Sequence, residues 1–279
     1  MSSRPRNALS AALIALACLL VPFGALAAWA SYGLADTGRY VTAMAPLATD
    51  PAVREAVVDT VGDGIVRETD AGARMRPFVR DAVRSFTGTD AFRTAWESGN
   101  RAVHDAILRA VRDGGGGEVR VDLAPVAADV KERLAADNMP LASRIPVERT
   151  EVAVLPADEL DRLRRGFHVL EVAGFWLPVT AAVLAVAGIA VAACRRRAVT
   201  ATALGTALGG AFLALAVALG RRLTLADLPE DVHRPAAGAV YDALTATLRT
   251  VSWLLVAVGL AVALGTWLLT RRRQPSPDN

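Results

Sequence analysis

The residues best suited to chemistry lie in one predicted helix, where Trp96, Asn100 and His104 follow one another at intervals of four. Side chains spaced in this way share one face of an α-helix, and Glu97 and Asp105 flank the row. An imidazole near carboxylates can act as a general base, or the row can form the polar floor of a pocket. The alternative is a polar helix edge that hydrogen-bonds a neighbouring loop. Because no nucleophile is identifiable in the sequence, this structural alternative is favoured, and the three residues are kept as a candidate partner or ligand face.

No catalytic residue, metal site or cofactor is predicted. The three histidines, His104, His168 and His233, do not form a pair with the spacing of a metal site, and no cysteine joins them. The run Gly114 to Gly117 precedes a predicted strand and lacks the Lys-Ser/Thr that follows the glycines of a phosphate-binding loop. The glycines therefore predict a connection between a helix and a strand.

The sequence contains four long segments without charged residues, and each is long enough to cross a membrane. A spanning helix needs about 20 mostly apolar residues, and soluble core helices of that length usually carry a polar face. The sequence therefore predicts a mainly α membrane protein with four transmembrane helices. The charge-free segments are 7–35, 172–194, 198–220 and 250–270.

Arginines at the ends of these segments predict the topology. Arg195 to Arg197 separate the second and third segments, and short loops rich in Arg favour the cytoplasm. This places eight arginines and one acid inside, and 23 basic and 27 acidic residues outside, in agreement with the net charge of +3. The excess of basic residues is thus a topogenic signal and does not indicate nucleic-acid binding. The predicted order is a cytoplasmic N-terminus 1–7, TM1 8–33, an extracytoplasmic domain 34–168, TM2 169–194, a cytoplasmic turn 195–197, TM3 198–220, an extracytoplasmic loop 221–249, TM4 250–270 and a cytoplasmic tail 271–279.

The first segment also has features of a cleavable signal peptide. Arg4 and Arg6 precede an apolar run, and Ala28-Trp29-Ala30 resembles a cleavage site. The apolar run, however, continues to Tyr32 and is long enough to span. An uncleaved signal anchor is therefore favoured, with cleavage as the alternative.

The domain between the first two spans is predicted to be α-rich. Asp50-Pro51 has the form of a helix N-cap followed by proline, and a second helix near Pro77 is expected to direct Phe78 and Val83 inward. A third helix covers Thr89 to Arg112. The alternating segments "EVRVDL" and "EVAVL" predict two short strands on either side of a helix, a small βαβ unit with a parallel pair. A last helix from about Asp158 is expected to continue directly into TM2.

Within the spans, the sequence predicts close helix packing. Ala201, Gly205 and Gly209 form a series of small residues at intervals of four, which allows helix backbones to approach in a bilayer. Packing within the chain is favoured over dimerisation. Charge-free spans also argue against a transporter, because transport usually needs ionisable groups inside the membrane.

Several segments resemble those of a group of uncharacterised actinobacterial four-span integral membrane proteins with an extracytoplasmic domain. The resemblance covers nearly the whole chain, and it implies a location and an architecture but no reaction. The segments that carry it are "YVTAMAPLATDPAV", "FRTAWESGNRAVHDAIL", "VRVDLAPVAADVKERL" and "GFWLPV".

The sequence therefore predicts a non-catalytic, multi-pass protein of the cell membrane. Its extracytoplasmic domain would bind or sense a component of the envelope. The expected partners are the lipid bilayer and another membrane or envelope protein, with no nucleic acid and no implied homo-oligomer. Two alternatives are an envelope enzyme with a site around His104 and a small transporter or channel subunit.

Overall fold

The computed structural model describes residues 3–68, 74–113, 119–136, 151–228 and 233–271. The chain forms two compact units. The bundle unit comprises residues 1–33, 168–222 and 245–279, and the polar unit comprises residues 34–167 and 223–244.

Four helices are long and apolar enough to cross a membrane, as predicted. Helix α1 (Ser3–Trp29) continues into a π-helical segment (Ala30–Leu34), and α7 (Ala157–Val191), α8 (Arg195–Ala226) and α9 (Arg234–Arg271) are the other three. Many of their large apolar side chains are exposed, and Leu208 is 71% exposed. A surface of this kind suits a hydrocarbon environment, since proteins in water rarely expose large contiguous apolar patches.

The ends of these helices differ from the predicted boundaries. The turn between α7 and α8 is formed by Ala192 to Cys194, and Arg195 to Arg197 form the first turn of α8 instead of a separate loop. The N–H of Ala198 donates to the carbonyl of Cys194, so the helix begins directly after that residue. Charge marks where a span leaves hydrocarbon, but arginine is a good helix former and does not end a helix.

The predicted loop 221–249 is also mostly helical. Helix α8 continues to Ala226, and α9 begins at Arg234, ahead of the apolar segment. The start of α9 belongs to the polar unit. Its contacts are with the cluster of Met44, Leu47 and Val53.

The spanning helices approach one another at glycines. Ser10 Oγ in α1 donates to the carbonyl of Gly188 in α7 at 2.7 Å. A Cβ added to Gly205 in α8 would lie 2.9 Å from Cys18 Cβ in α1. A Cβ added to Gly259 in α9 would lie 2.8 Å from the backbone nitrogen of Ala207 in α8. Small residues thus form three helix-helix contacts in the bundle unit.

Five helices and two strands make up most of the polar unit. The helices are α2 (Thr37–Met44), α3 (Pro51–Glu68), α4 (Arg76–Thr87), α5 (Asp90–Asp113) and α6 (Ala124–Ala136), with a 3₁₀ turn (Ala45–Thr49) after α2. Asp50 caps α3 as predicted, because its Oδ1 accepts hydrogen bonds from the N–H groups of Ala52 and Val53.

Helices α3 and α4 form an antiparallel hairpin joined by ion pairs. Arg84 lies 2.9 Å from Glu55, and Arg80 pairs with Asp59. The expectation that Phe78 faces inward is wrong, because its side chain is 64% exposed while Val83 is buried. The two residues are five positions apart, which corresponds to about 140° around the helix axis beyond one full turn. Burial of Val83 therefore places Phe78 on the opposite side of α4.

The predicted parallel strand pair is also wrong. Strands β1 (Val119–Asp122) and β2 (Glu151–Leu155) are antiparallel, with Asp122 opposite Glu151. Helix α6 lies between them in the chain, as expected, but β2 starts beside the end of β1. A parallel pair would instead need β2 to start beside the beginning of β1.

Candidate functional site

The predicted face of α5 lies against α2. Asp36 caps α2, because its Oδ1 accepts a hydrogen bond of 2.8 Å from the N–H of Arg39. This fixes the start of α2 and places Thr37, Tyr40 and Met44 at intervals of three and four, on one face of the helix. Each of the three meets one residue of the row Trp96, Asn100 and His104.

Trp96 connects α5 to the end of α2. Its indole Nε1 donates to the carbonyl of Met44 at 2.9 Å, and its ring packs against the buried cluster of Met44, Leu47 and Val53. The side chain is only half-buried, less than the apolar pattern of α5 suggests. Trp96 is nevertheless part of the core of this unit.

Asn100 is held between its own helix and Tyr40. Its Nδ2 donates to the carbonyl of Trp96 at 2.8 Å, and its Oδ1 accepts from the hydroxyl of Tyr40 at 3.4 Å. Burial raises the pKa of the Tyr40 phenol above its ordinary value. Tyr40 therefore stays protonated, and remains a donor, over the whole physiological pH range.

His104 is engaged at both ring nitrogens. Its Nε2 lies 2.8 Å from the carbonyl oxygen of Leu34, and its Nδ1 lies 3.1 Å from the hydroxyl of Thr37. The ring also stacks on Tyr40, with centroids 4.2 Å apart. A carbonyl oxygen can only accept, so Nε2 must carry a hydrogen.

The hydroxyl of Thr37 has only one hydrogen to share. It lies 2.6 Å from Asp105 Oδ1, to which it donates. While it does so, it can contact Nδ1 of His104 only as an acceptor, which requires an imidazolium with hydrogens on both nitrogens. A neutral His104 would have to compete with Asp105 for that hydrogen. In either case a general base at His104 would have to break a contact that holds α5 to the start of α2.

The structure therefore brings Trp96, Asn100 and His104 together, but their polar atoms contact α2. An open cleft lies beside the row, and sequence reasoning missed it. The cleft has a volume of about 450 Å³ and is lined by Ala35, Asp36, Thr37, Asp105, Leu108, Arg109 and Arg112.

The cleft carries charges of both signs on two helices that are held in place. Arg109 Nε donates to the carbonyl of Asp105 at 3.2 Å, and Arg112 lies over the ring of Phe167 at 5.7 Å from its centroid. Asp36 and Asp105 supply the carboxylates of the cleft, and both already accept hydrogen bonds. The spacing of Asp105, Arg109 and Arg112, at intervals of four and three, was the available sequence signal.

This arrangement suits binding better than acid-base or metal chemistry. Two guanidinium groups can bind a carboxylate or a phosphate, and the two carboxylates can accept from an amine or a hydroxyl. Among the residues that the structure describes, no group of three or more His, Cys, Asp or Glu side chains could hold a metal ion.

The predicted packing residues of α8 take two different positions. Gly205 and Gly209 face α1, where a Cβ on Gly209 would lie 3.3 Å from Pro22 Cδ. Ala201 is exposed and lines a groove between α8 and α9. Close packing within the chain thus involves the two glycines.

Comparison with known proteins adds no function and no residue roles to this geometry. The resemblance stated from the sequence therefore stays a prediction. No family model matches the chain, and neither a curated protein nor a solved structure is significantly similar to it.

Proposed function

We propose that this chain is a non-catalytic, multi-pass protein of the cell membrane whose extracytoplasmic polar unit binds or senses a component of the envelope. The cleft between Asp36 and Arg112 carries this proposal. The cleft is open and is lined by side chains of both charges. The ring nitrogens of the neighbouring His104 already contact Leu34 and Thr37.

The cleft indicates what kind of component would bind. Arg109 and Arg112 favour a ligand or partner segment with an anionic group, and Asp36 and Asp105 favour hydrogen-bond donors next to that group. A zwitterionic small molecule or a polar segment of another envelope protein has both. A purely apolar ligand does not fit this lining.

The arginine distribution supports one orientation, with both termini in the cytoplasm and residues 34–168 outside. Basic residues precede the first span and separate the second from the third, at Arg4, Arg6 and Arg195 to Arg197, whereas acidic residues are concentrated in 36–171.

The packing of α1 supports its retention as a signal anchor. Ile14, Ala17 and Ala27 are buried, and Cys18 fills the space that a side chain at position 205 would need.

The natural cysteines provide a test of this orientation. A membrane-impermeant maleimide should label Cys194, which is exposed, only after spheroplasts are permeabilised. A cysteine at position 109, introduced into a Cys194→Ala background, should be labelled in intact spheroplasts. Cys18, inside an apolar helix, should react in neither case. Labelling of Cys194 before permeabilisation would mean that the chain has the opposite orientation.

The binding function is tested with a photoreactive amino acid at position 109 in native membranes. Illumination should give a discrete cross-linked product from position 109. The matched control is Arg93, an arginine of the same helix about 160° away from Arg109 around its axis and paired with Asp90. The same products from both positions, or none from position 109, would argue against the cleft as the binding site.

A further inference from the structure

A second groove lies at the N-terminal end of α8, beside the turn between α7 and α8. It has a volume of about 400 Å³. We call it the arginine groove and define it by residues of α8 and α9: Arg196, Arg197, Thr200, Leu204, Thr266 and Trp267. All of these residues belong to the bundle unit.

The floor of the arginine groove is a contact between α8 and α9. The hydroxyl groups of Thr200 and Thr266 lie 2.9 Å apart, close enough for one of them to donate to the other. Each also lies within hydrogen-bond distance of a carbonyl of its own helix, so the hydroxyl that accepts across the helices can donate to its own carbonyl. This contact holds the two helices together at the depth of the groove. The walls above it are mainly apolar, and Leu204 and Trp267 are each about half exposed.

The charge at one end of the groove has no counter-charge from the described part of the chain. Arg196 and Arg197 are exposed, and neither guanidinium forms an ion pair with a described residue. The sequence contains no acid from Val172 to Ala226 or from Ala243 to Arg271. An anion that neutralises these two arginines must therefore come from outside this part of the chain.

An exposed apolar strip on α8 begins at Arg197. Leu204 and Leu208 are 45% and 71% exposed. Leu204 follows Arg197 by seven residues, nearly two helix turns, and Leu208 follows it by eleven, just over three turns. Both leucines therefore lie within about 20° of Arg197 around the helix axis. The distance along the helix from Arg197 to Leu208 is about 16 Å at 1.5 Å per residue. One leaflet of hydrocarbon is about 15 Å thick, half of the bilayer core.

We infer that the arginine groove binds one anionic phospholipid. Its phosphate lies against the guanidinium groups of Arg196 and Arg197, and one acyl chain follows the groove past Leu204 toward Leu208. Guanidinium groups can bind a phosphate through two hydrogen bonds each, and basic pockets between membrane helices are suited to anionic head groups. A choline head group places a positive charge beside the same arginines, so phosphatidylcholine binds less well. The inference needs only that the helices cross a bilayer, and it is independent of the cleft in the polar unit.

The test uses the full chain in detergent and counts bound lipid by native mass spectrometry. With equal amounts of phosphatidylglycerol and phosphatidylcholine, the wild type should retain one phosphatidylglycerol at concentrations where phosphatidylcholine is lost. The double variant Arg196→Gln/Arg197→Gln should bind phosphatidylglycerol at least about tenfold more weakly, since each interfacial arginine contributes about 1 kcal/mol.

Two further variants separate a site from general charge attraction. The matched control Arg6→Gln/Arg195→Gln removes two arginines that are not among the lining residues of the groove, and it should keep the wild-type affinity. Ala201→Phe keeps every arginine but fills the groove, and it should lose phosphatidylglycerol to a similar degree as the double variant. Thermal midpoints without lipid show that each variant is folded, and Leu204→Ala, which removes the apolar wall that the acyl chain would contact, replaces Ala201→Phe as the groove variant if the latter does not fold.

Three results would overturn the inference. The first is that the wild type retains the two lipids equally. The second is that the control double variant loses as much affinity as Arg196→Gln/Arg197→Gln. The third is that glycerol phosphate competes as effectively as phosphatidylglycerol. The last result would mean that the arginines bind a free phosphate group without using the acyl strip.

Discussion

Replacing Gly259 by leucine should prevent the chain from folding into a monodisperse protein, whereas the same replacement at Gly265 in the same helix should be tolerated. A Cβ at position 259 would lie 2.8 Å and 2.9 Å from the backbone nitrogen and the Cβ of Ala207. Backbone atoms of a helix cannot rotate away as a side chain can, so α8 and α9 would have to separate. The expected cost exceeds about 3 kcal/mol, the upper end of the range usual for overpacking.

Size-exclusion profiles and thermal midpoints in detergent would measure this effect. Gly265 is the control, because a Cβ there has no atom within 4 Å and a leucine would face open space. Both variants add the same apolar volume to α9, so both favour insertion into the membrane. Equal profiles for the two variants would mean that the close contact between α8 and α9 at Gly259 does not exist in the folded protein.

This contact shows how far the sequence could predict the bundle. The series Ala201, Gly205 and Gly209 predicts a close helix contact, because small residues at intervals of four form a smooth strip. Gly259 and Ala263 have the same spacing in α9, and this signal could have been used. The identity of the partner helix could not be predicted. That Gly205 faces Cys18 depends on how four helices are arranged, and a local pattern does not contain that information.

The polar unit shows the same division between local and long-range signals. Asp50 and Pro51 define the start of α3 through contacts within three residues, and this prediction is confirmed. The direction of β2 relative to β1 is a long-range property, and the alternating pattern of each strand is the same in both directions. The prediction of a parallel pair failed for that reason.

The candidate site was predictable in part. The row Trp96, Asn100 and His104 was identified as one face from its spacing alone. Its partner, α2, begins with the cap at Asp36, and the sequence does not indicate that Thr37 and Tyr40 would meet His104. The cleft beside the row was missed because it combines Asp36 from α2 with Arg109 from α5, residues more than 70 positions apart.

Replacing Trp96 by alanine should lower the free energy of unfolding of the polar unit by about 3 kcal/mol, the lower end of the range for removing a core aromatic residue. The indole packs on Met44, Leu47 and Val53, and its N–H donates to the carbonyl of Met44. The side chain is only partly buried, which keeps the expected loss below that of a fully buried tryptophan.

Hydrogen exchange of the amides in α2 and α5 in the full chain would measure this loss at the site itself, since opening of α2 from α5 exposes both helices. Trp96→Phe should cost only about 1 kcal/mol, because the phenyl ring keeps most of the apolar contact and loses one hydrogen bond. Phe78→Ala is the control. Its ring is 64% exposed, so the same loss of an aromatic ring should change stability by less than about 0.5 kcal/mol. A change below about 1 kcal/mol for Trp96→Ala would instead mean that the indole is not part of the core, and Trp96 would then become a candidate for direct contact with the envelope partner.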